Sequence, residues 1–164
     1  MYLFVEGSYD EDFFSILLNK YNIEFKPYQY SQKNTKDINK FLKVVLSLGE
    51  TILFVADSDG ASASQKKNKI LKKHSMLNSG QVFIVEYEIE SWYYAGANDT
   101  YLSNKKIKKY KNTDNLTKEM FRDSLPKKYN TFEIMSEMLS IFNCDVACRK
   151  NKSFNKFFDK YITS

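Results

Sequence analysis

The sequence predicts an α/β domain in which a mainly parallel sheet carries helices on both faces. Short apolar runs alternate with longer segments whose apolar residues recur at helical spacing, an order typical of parallel sheets. The clearest run, residues 52–56, is too short for a helix and is apolar at every position. Such a run indicates a strand that is buried on both faces.

The chain begins with a predicted strand and helix. Residues 2–5 form a short apolar run that closes at Gly7, and residues 10–21 then show helical apolar spacing. Acidic residues occupy the first turn of this helix, where they interact favourably with the helix dipole. Glu11 and Asp12 are therefore assigned to the helix and not to a binding site.

A second strand and helix follow, and then the clearest strand. Residues 24–30 indicate a strand, and Thr35 is the expected N-cap of a helix whose apolar stripe ends near Gly49. The apolar run at residues 52–56 then leads into the loop-forming residues 57–60. The strand–helix order is thus repeated.

A lysine-rich helix and a fourth strand come next. Residues 65–77 are predicted to form the helix, with His74 as a surface residue among lysines. Residues 81–90 are predicted to form the strand. Trp92 and Tyr93 follow, and we interpret them as core aromatics in preference to base-stacking residues.

The pattern weakens beyond Trp92 into a lysine-rich polar stretch and then becomes helical again. Cys144 and Cys148 share one face of a segment that looks helical, so reduced structural thiols are expected. Ser153 is the expected cap of the last helix. The predicted helical segments are residues 116–125, 131–142 and 153–162.

We interpret residues 1–164 as a single domain, with a core of about residues 1–95 and a lysine-rich, helical extension of about residues 96–164. Lys and Arg total 25 against 20 Asp and Glu, and this net charge of +5 permits nucleic-acid binding without demanding it. The first residues lack the pattern of a signal peptide, and no window approaches the roughly 18 apolar residues of a membrane span. A cytoplasmic protein with no membrane partner is expected.

Acidic residues follow three of the predicted strands at the point where each strand ends. Because the carboxyl ends of parallel strands share one edge of the sheet, these side chains are expected to converge. Like charges at close range raise one another's pKa, so such a cluster favours bound cations. Oxygen ligands without histidine favour Mg²⁺ or Mn²⁺ over zinc. The predicted metal ligands are Glu6, Asp10, Asp57, Asp59, Glu88 and Glu90.

Each acidic pair also has a simpler explanation. Asp57 and Asp59 lie on the same side of an extended segment and so reach one metal, but solvated carboxylates in a turn produce the same spacing. Asp10 at the start of a helix also suits the helix dipole. Glu88 and Glu90 alternate along a continued strand, where a solvated edge position explains at least one such residue.

The surroundings of these carboxylates resemble the TOPRIM domain over about residues 1–95. The matching features are Glu6 in FVEGSYD, the DxD pair in FVADSDG and the downstream acidic pair in YEIESW. The TOPRIM domain is shared by topoisomerases, bacterial primases and the overcoming-lysogenization-defect nucleases, and it implies a Rossmann-like fold. The chain looks most like the small stand-alone nucleases of this group, because the remaining residues are too few for a DNA gate and primases need additional domains.

The resemblance implies a nuclease that cleaves RNA or DNA with one or two Mg²⁺ or Mn²⁺ ions, with catalytic roles for Glu6, Asp57 and Asp59. The tail RKNKSFNKFF is similar to the basic ending of small TOPRIM-like proteins, and the larger family uses a lysine near the metals. Lys150 and Lys152 are the candidates, although a capped apolar helix also explains much of this segment. Related nucleases are often linked to an ATPase in anti-phage defence, so the resemblance also implies an ATPase partner.

Lysines are expected to hold the nucleic acid, because phosphate contacts need cations but no sequence readout. A solvated helix face and a flexible loop at residues 105–111 are the alternatives for these lysines. The competing function is a non-catalytic TOPRIM-like module that binds nucleic acid or a partner protein. The candidate nucleic-acid-binding residues are Lys66, Lys67, Lys105, Lys106, Lys108 and Lys109.

Overall fold

The computed structural model describes residues 1–163, which divide into a compact unit of residues 1–85 and a second unit from Glu86 onward. Within residues 1–163, every helix is too short or too polar to cross a membrane.

The first unit contains an all-parallel, four-stranded sheet with helices, which confirms the predicted α/β class and is consistent with a Rossmann-like fold. The strand order is β2-β1-β3-β4. The strands are β1 (Tyr2–Val5), β2 (Lys26–Gln29), β3 (Ile52–Asp57) and β4 (Val82–Val85), and the helices are α1 (Ser8–Lys20), α2 (Thr35–Ser47), α3 (Ala63–Lys73) and a 3₁₀ turn at Ser79–Gln81.

The strand order determines which helices share a face of the sheet. The connection from β1 to β2 runs in one direction, whereas those from β2 to β3 and from β3 to β4 run in the other. Right-handed crossovers then place α1 on one face and α2 and α3 on the opposite face. Leu42 of α2 and Ile70 of α3 belong to the same apolar cluster as Phe54 of β3, as this arrangement requires.

Three predictions about a helix cap, a strand end and the burial of a side chain are wrong in this unit. Asn34, and not Thr35, caps α2, because its side chain accepts the backbone N–H of Asp37 at 2.9 Å. The fourth strand ends at Val85, five residues before the predicted end. His74 is only 2% exposed, since its ring packs against Phe54 with the ring centres 5.5 Å apart.

The second unit is helical. The three predicted helical segments are present, two with shorter bounds and the last shifted by one residue toward the N-terminus. A helix also carries the two cysteines, and both thiols are free as predicted. Two short helices before residue 105 were not predicted. The helices are α4 (Glu90–Ala95), α5 (Asp99–Asn104), α6 (Lys118–Ser124), α7 (Thr131–Ser140), α8 (Cys144–Lys150) and α9 (Lys152–Tyr161).

Aromatic side chains form much of the second unit's core. Trp92 and Tyr93 are almost fully buried, which confirms their prediction as core residues. Asn151 caps α9 by accepting the N–H of Phe154 at 2.9 Å, so the predicted cap Ser153 is wrong. The Ser153 hydroxyl instead accepts hydrogen bonds from the Trp92 indole at 3.3 Å and from a backbone N–H.

Candidate functional site at the carboxyl edge of the sheet

The strand order creates a crevice between β1 and β3. The chain leaves β1 toward β2 on one side and leaves β3 toward β4 on the other, so the connections diverge at this point. Open α/β sheets bind ligands at such a switch point, outside the carboxyl ends of the strands. Glu6 directly follows β1, and Asp57 is the last residue of β3. Both predicted residues therefore lie where the topology favours a ligand.

Asp10 is folded back toward the end of β1 by the turn at Gly7. The backbone N–H of Gly7 donates to Oδ2 of Asp10 at 3.2 Å, and Asp10 is buried in the first turn of α1. This contact is a helix-capping interaction, so it supports the simpler explanation for Asp10 as well. It also holds a buried carboxylate beside the strand end.

The segment after β3 turns sharply instead of remaining extended. Asp59 has a φ of +52°, and the N–H of Ala61 donates to the carbonyl of Ser58 at 3.0 Å. The predicted extended geometry, in which Asp57 and Asp59 share one side, is therefore wrong. Asp57 is buried, whereas Asp59 is exposed and lies 2.5 Å from the ammonium of Lys66.

Four of the predicted carboxylates lie near enough to the Tyr30 hydroxyl for their charges to raise its pKa. Burial raises the pKa of Tyr30 well above its usual value of 10.0, and four negative charges raise it further. The hydroxyl donates to the carbonyl of Val55 at 3.0 Å, which holds it at the sheet edge. The four charges belong to Glu6, Asp10, Asp57 and Asp59. Tyr30 was not predicted as a site residue, and its only signal in the sequence is its position at the end of a strand.

Oxygen donors alone make up this group, and its chemistry suits a hard divalent cation. Within residues 1–163, no three His, Cys, Asp or Glu side chains are arranged as a ready-made metal cage. Magnesium does not need such a cage, because it usually keeps several waters and binds one or two protein carboxylates together with substrate phosphates. The oxygen donors are of the kind that Mg²⁺ prefers, but among residues 1–163 they do not form a group of three or more side chains that could hold a metal by themselves.

Glu88 and Glu90 belong to the second unit, where both contact Lys118. Glu88 accepts a hydrogen bond from the backbone N–H of Lys118 at the start of α6, and Oε1 of Glu90 lies 3.8 Å from the Lys118 ammonium. Burial raises the pKa of Glu90. Their predicted placement along one continued strand is wrong, because Tyr87 has a φ of +64° and Glu90 begins a helix.

The two candidate catalytic lysines form ion pairs within the second unit. The Lys150 ammonium lies 2.9 Å from Oδ1 of Asp99, and that of Lys152 lies 3.7 Å from Oδ2 of Asp114. Lys150 has 15% of its side chain exposed and Lys152 has 79%. Lys150 is therefore the more tightly held of the two.

The predicted nucleic-acid-binding lysines fall into two groups. Lys66 lines a cavity of the first unit beside Asp59, and Lys67 is half-buried on the same helix. Lys105 is held by Glu137 at 2.6 Å in the second unit. Three further lysines, Lys106, Lys108 and Lys109, are exposed, and Lys108 lies over the ring of Tyr110.

Comparison of the chain with protein-family models, with curated proteins and with solved structures finds no match.

Proposed function

We propose that this protein is a divalent-metal-dependent nuclease that hydrolyses phosphodiester bonds of RNA or DNA with a TOPRIM-like carboxylate site. The observation that supports this most is that Glu6 and Asp57 lie at the carboxyl ends of the adjacent strands β1 and β3. The turn at Gly7 holds Asp10 near Glu6, and Asp59 lies in the turn after Asp57. They lie at the switch point of a parallel sheet, where a ligand is expected. All four of these carboxylates belong to the first unit.

Glu6, Asp10, Asp57 and Asp59 are the residues that would hold Mg²⁺ or Mn²⁺. When bound there, the metal polarises a phosphoryl oxygen and lowers the pKa of an attacking water. The chain's own contribution is positioning: the Gly7 N–H fixes Asp10, and the end of β3 fixes Asp57. Lys66, beside Asp59, supplies a cation for a substrate phosphate.

The remaining candidate metal ligands and the candidate catalytic lysines lie in the second unit. Glu88 and Glu90 each have a partner in Lys118, which explains their presence without a metal. Lys150 and Lys152 stay candidates through the resemblance of the tail alone. Control by an ATPase partner in anti-phage defence is likewise proposed from the resemblance.

The direct test measures cleavage of labelled RNA and DNA by the purified protein with Mg²⁺, with Mn²⁺ and with EDTA. We expect metal-dependent cleavage that falls at least about 100-fold in Asp57→Asn, since a metal supplies several kcal/mol of transition-state stabilisation. Asp12→Asn is the matched control, because Asp12 is exposed on α1 and lies outside the carboxylate group. Lys150→Ala and Lys152→Ala belong in the same assay.

Cleavage that persists in EDTA, or that is equal in Asp57→Asn and the wild type, contradicts the proposal. Binding of nucleic acid without any metal-dependent cleavage supports the non-catalytic module instead. Circular dichroism of each variant establishes that loss of activity is not loss of fold.

A further inference from the structure

A cavity of about 450 Å³ lies in the first unit, beside the carboxylate group. Glu6 and Asp59 line it on the acidic side, and α3 contributes much of the remaining wall. Its volume falls in the range of about 300 to 1,000 Å³ that is usual for small-molecule sites. The cavity is therefore large enough for a ligand of its own.

Lysines dominate the charge of this cavity. Lys33, Lys66, Lys69 and Lys73 line it, against the two carboxylates of Glu6 and Asp59. Only Lys66 is ion-paired: among residues 1–163 the side chains of the other three have no acidic partner within 4.0 Å. The excess of positive charge suits a dianion, and a phosphate monoester carries nearly two negative charges near neutral pH.

The interior of the cavity is apolar and aromatic. Ile38, Phe54 and Ile70 line it, and the ring of Tyr30 stacks on Phe54 with the centres 4.6 Å apart. An apolar interior beneath cationic side chains suits a ligand that joins a flat or apolar group to a phosphate. Sugar phosphates and inorganic anions would contact the lysines but not the apolar interior of the cavity.

His74 adds a hydrogen-bonding group of known polarity. Asn39 donates through Nδ2 to the carbonyl of Lys73 at 3.3 Å, so its Oδ1, 2.6 Å from Nδ1 of His74, is an acceptor. Nδ1 therefore carries the proton, and Nε2 of the neutral ring is an acceptor. Burial and the charge of Lys73 lower the pKa of His74, which keeps the ring neutral. His74 lines the cavity, and a neutral acceptor there would match the N–H donors of a nucleobase.

We propose that this cavity binds a nucleoside monophosphate group, with the phosphate on Lys33, Lys69 and Lys73 and the base toward Phe54 and His74. A free mononucleotide and the phosphorylated end of a nucleic-acid strand present this same chemistry. Binding of the free mononucleotide is independent of cleavage. Capture of a strand end rests on the proposed nuclease function.

The single histidine makes the test direct, because His74 contributes the only imidazole signal in an NMR spectrum of the protein. We expect adenosine and uridine monophosphates to shift this signal saturably. Adenosine and ribose 5-phosphate should each bind at least about tenfold more weakly than adenosine monophosphate. Adenosine lacks the phosphate and so the charge-assisted hydrogen bonds to the lysines, whereas ribose 5-phosphate lacks the contacts of the base.

Variants of α3 supply the matched control. Lys69→Glu/Lys73→Glu should weaken mononucleotide binding at least about tenfold, whereas Lys72→Glu, which changes an exposed lysine of the same helix outside the cavity, should not. The proposal is overturned if no mononucleotide shifts the His74 signal, if adenosine binds as tightly as its monophosphate, or if Lys72→Glu weakens binding as much as the double variant.

Two further comparisons separate this proposal from the nuclease and identify the ligand's source. Asp57→Asn should abolish cleavage and leave mononucleotide binding intact, because Asp57 does not line the cavity. Loss of both overturns the cavity as a separate site. Strand-end capture is supported if a 5′- or 3′-phosphorylated oligonucleotide binds more tightly than the same strand with free hydroxyls. Equal binding of the two strands overturns strand-end capture.

Discussion

The hydroxyl of Tyr30 donates a hydrogen bond to the carbonyl of Val55 at 3.0 Å. Tyr30 follows β2 and Val55 lies in β3, and these two strands are separated in the sheet by β1. The N–H of Tyr30 also donates to the carbonyl of Val5, the last residue of β1, at 3.0 Å. Tyr30 thus links three strands by hydrogen bonds at the carboxyl edge of the sheet, near the four carboxylates.

Removal of this hydroxyl should weaken the first unit. We expect Tyr30→Phe to lower the free energy of unfolding by about 1 kcal/mol, the usual cost of one intramolecular hydrogen bond. Chemical denaturation measures the change. Tyr28→Phe is the control, because the Tyr28 ring stacks on Phe41 and that contact survives in the variant. Equal losses in the two variants would contradict a special role for the Tyr30 hydroxyl.

Acid should destabilise the first unit through His74. Its pKa is lowered from 6.5 in the folded protein, chiefly by burial, so the unfolded chain binds the proton more readily. The contribution of His74 to stability is therefore complete above about pH 6.5 and declines as the pH falls toward the folded-state pKa. An NMR titration of the single imidazole measures that pKa, and a value above 6.5 would refute the prediction.

Substitution of the histidine's partner should reverse this effect. Asn39→Asp places a carboxylate at the position 2.6 Å from Nδ1 of His74, and an opposite charge stabilises the imidazolium. We expect the pKa of His74 to rise above the wild-type value in this variant, measured by the same titration. An unchanged value would show that the contact with Asn39 is not maintained in solution.

Glu90 should reduce the stability of the second unit at neutral pH. Its pKa is raised from 4.5, with burial as the largest cause, so its contribution to stability is present below pH 4.5 and is lost as the pH rises through the folded-state pKa. Glu90→Gln should therefore raise the free energy of unfolding at pH 7.5 and leave it nearly unchanged at pH 4, as measured by denaturation at both values.

The exposed pair of Glu86 and Lys156 supplies the control for that measurement. Their charges lie 2.9 Å apart, with 37% and 66% of the side chains exposed, and such surface pairs contribute about 0 to 1 kcal/mol. Glu86→Gln should therefore lower the stability slightly at pH 7.5. A decrease of the same size in Glu90→Gln would mean that the 3.8 Å contact between Glu90 and Lys118 outweighs the cost of burial.

Gly96 should not tolerate a side chain. A Cβ atom at this position would lie 2.2 Å from ring carbons of Phe142, so the aromatic ring must move. We expect Gly96→Ala to cost about 1 to 3 kcal/mol by overpacking, measured by thermal or chemical denaturation. Gly96→Ala/Phe142→Leu tests the cause, because a smaller side chain should recover part of the loss, and a purely additive result would exclude this clash.

The sequence by itself determined the order of the elements in the first unit. A continuous apolar run identifies a strand that is buried on both faces, because neither face of such a strand is polar. The acidic residues at the ends of these strands can then be read from the sequence. It also identified the buried aromatics Trp92 and Tyr93. The bounds of elements were less certain, as at Val85, because a backbone turn at Tyr87 stops a strand within a sequence that still alternates.

Only the tertiary structure decided which groups meet. The sequence predicts that Glu6 and Asp57 lie at the same edge of the sheet. The strand order, which the spacing along the chain does not reveal, makes β1 and β3 neighbours and brings Tyr30 to β3. His74 looks like a surface residue among lysines, yet it is buried because the end of α3 packs against Phe54. The periodicity of apolar residues in the sequence indicates the face of a helix or strand on which a residue lies. Burial, pKa and partners depend on what packs against that face, and contacts distant in sequence determine this.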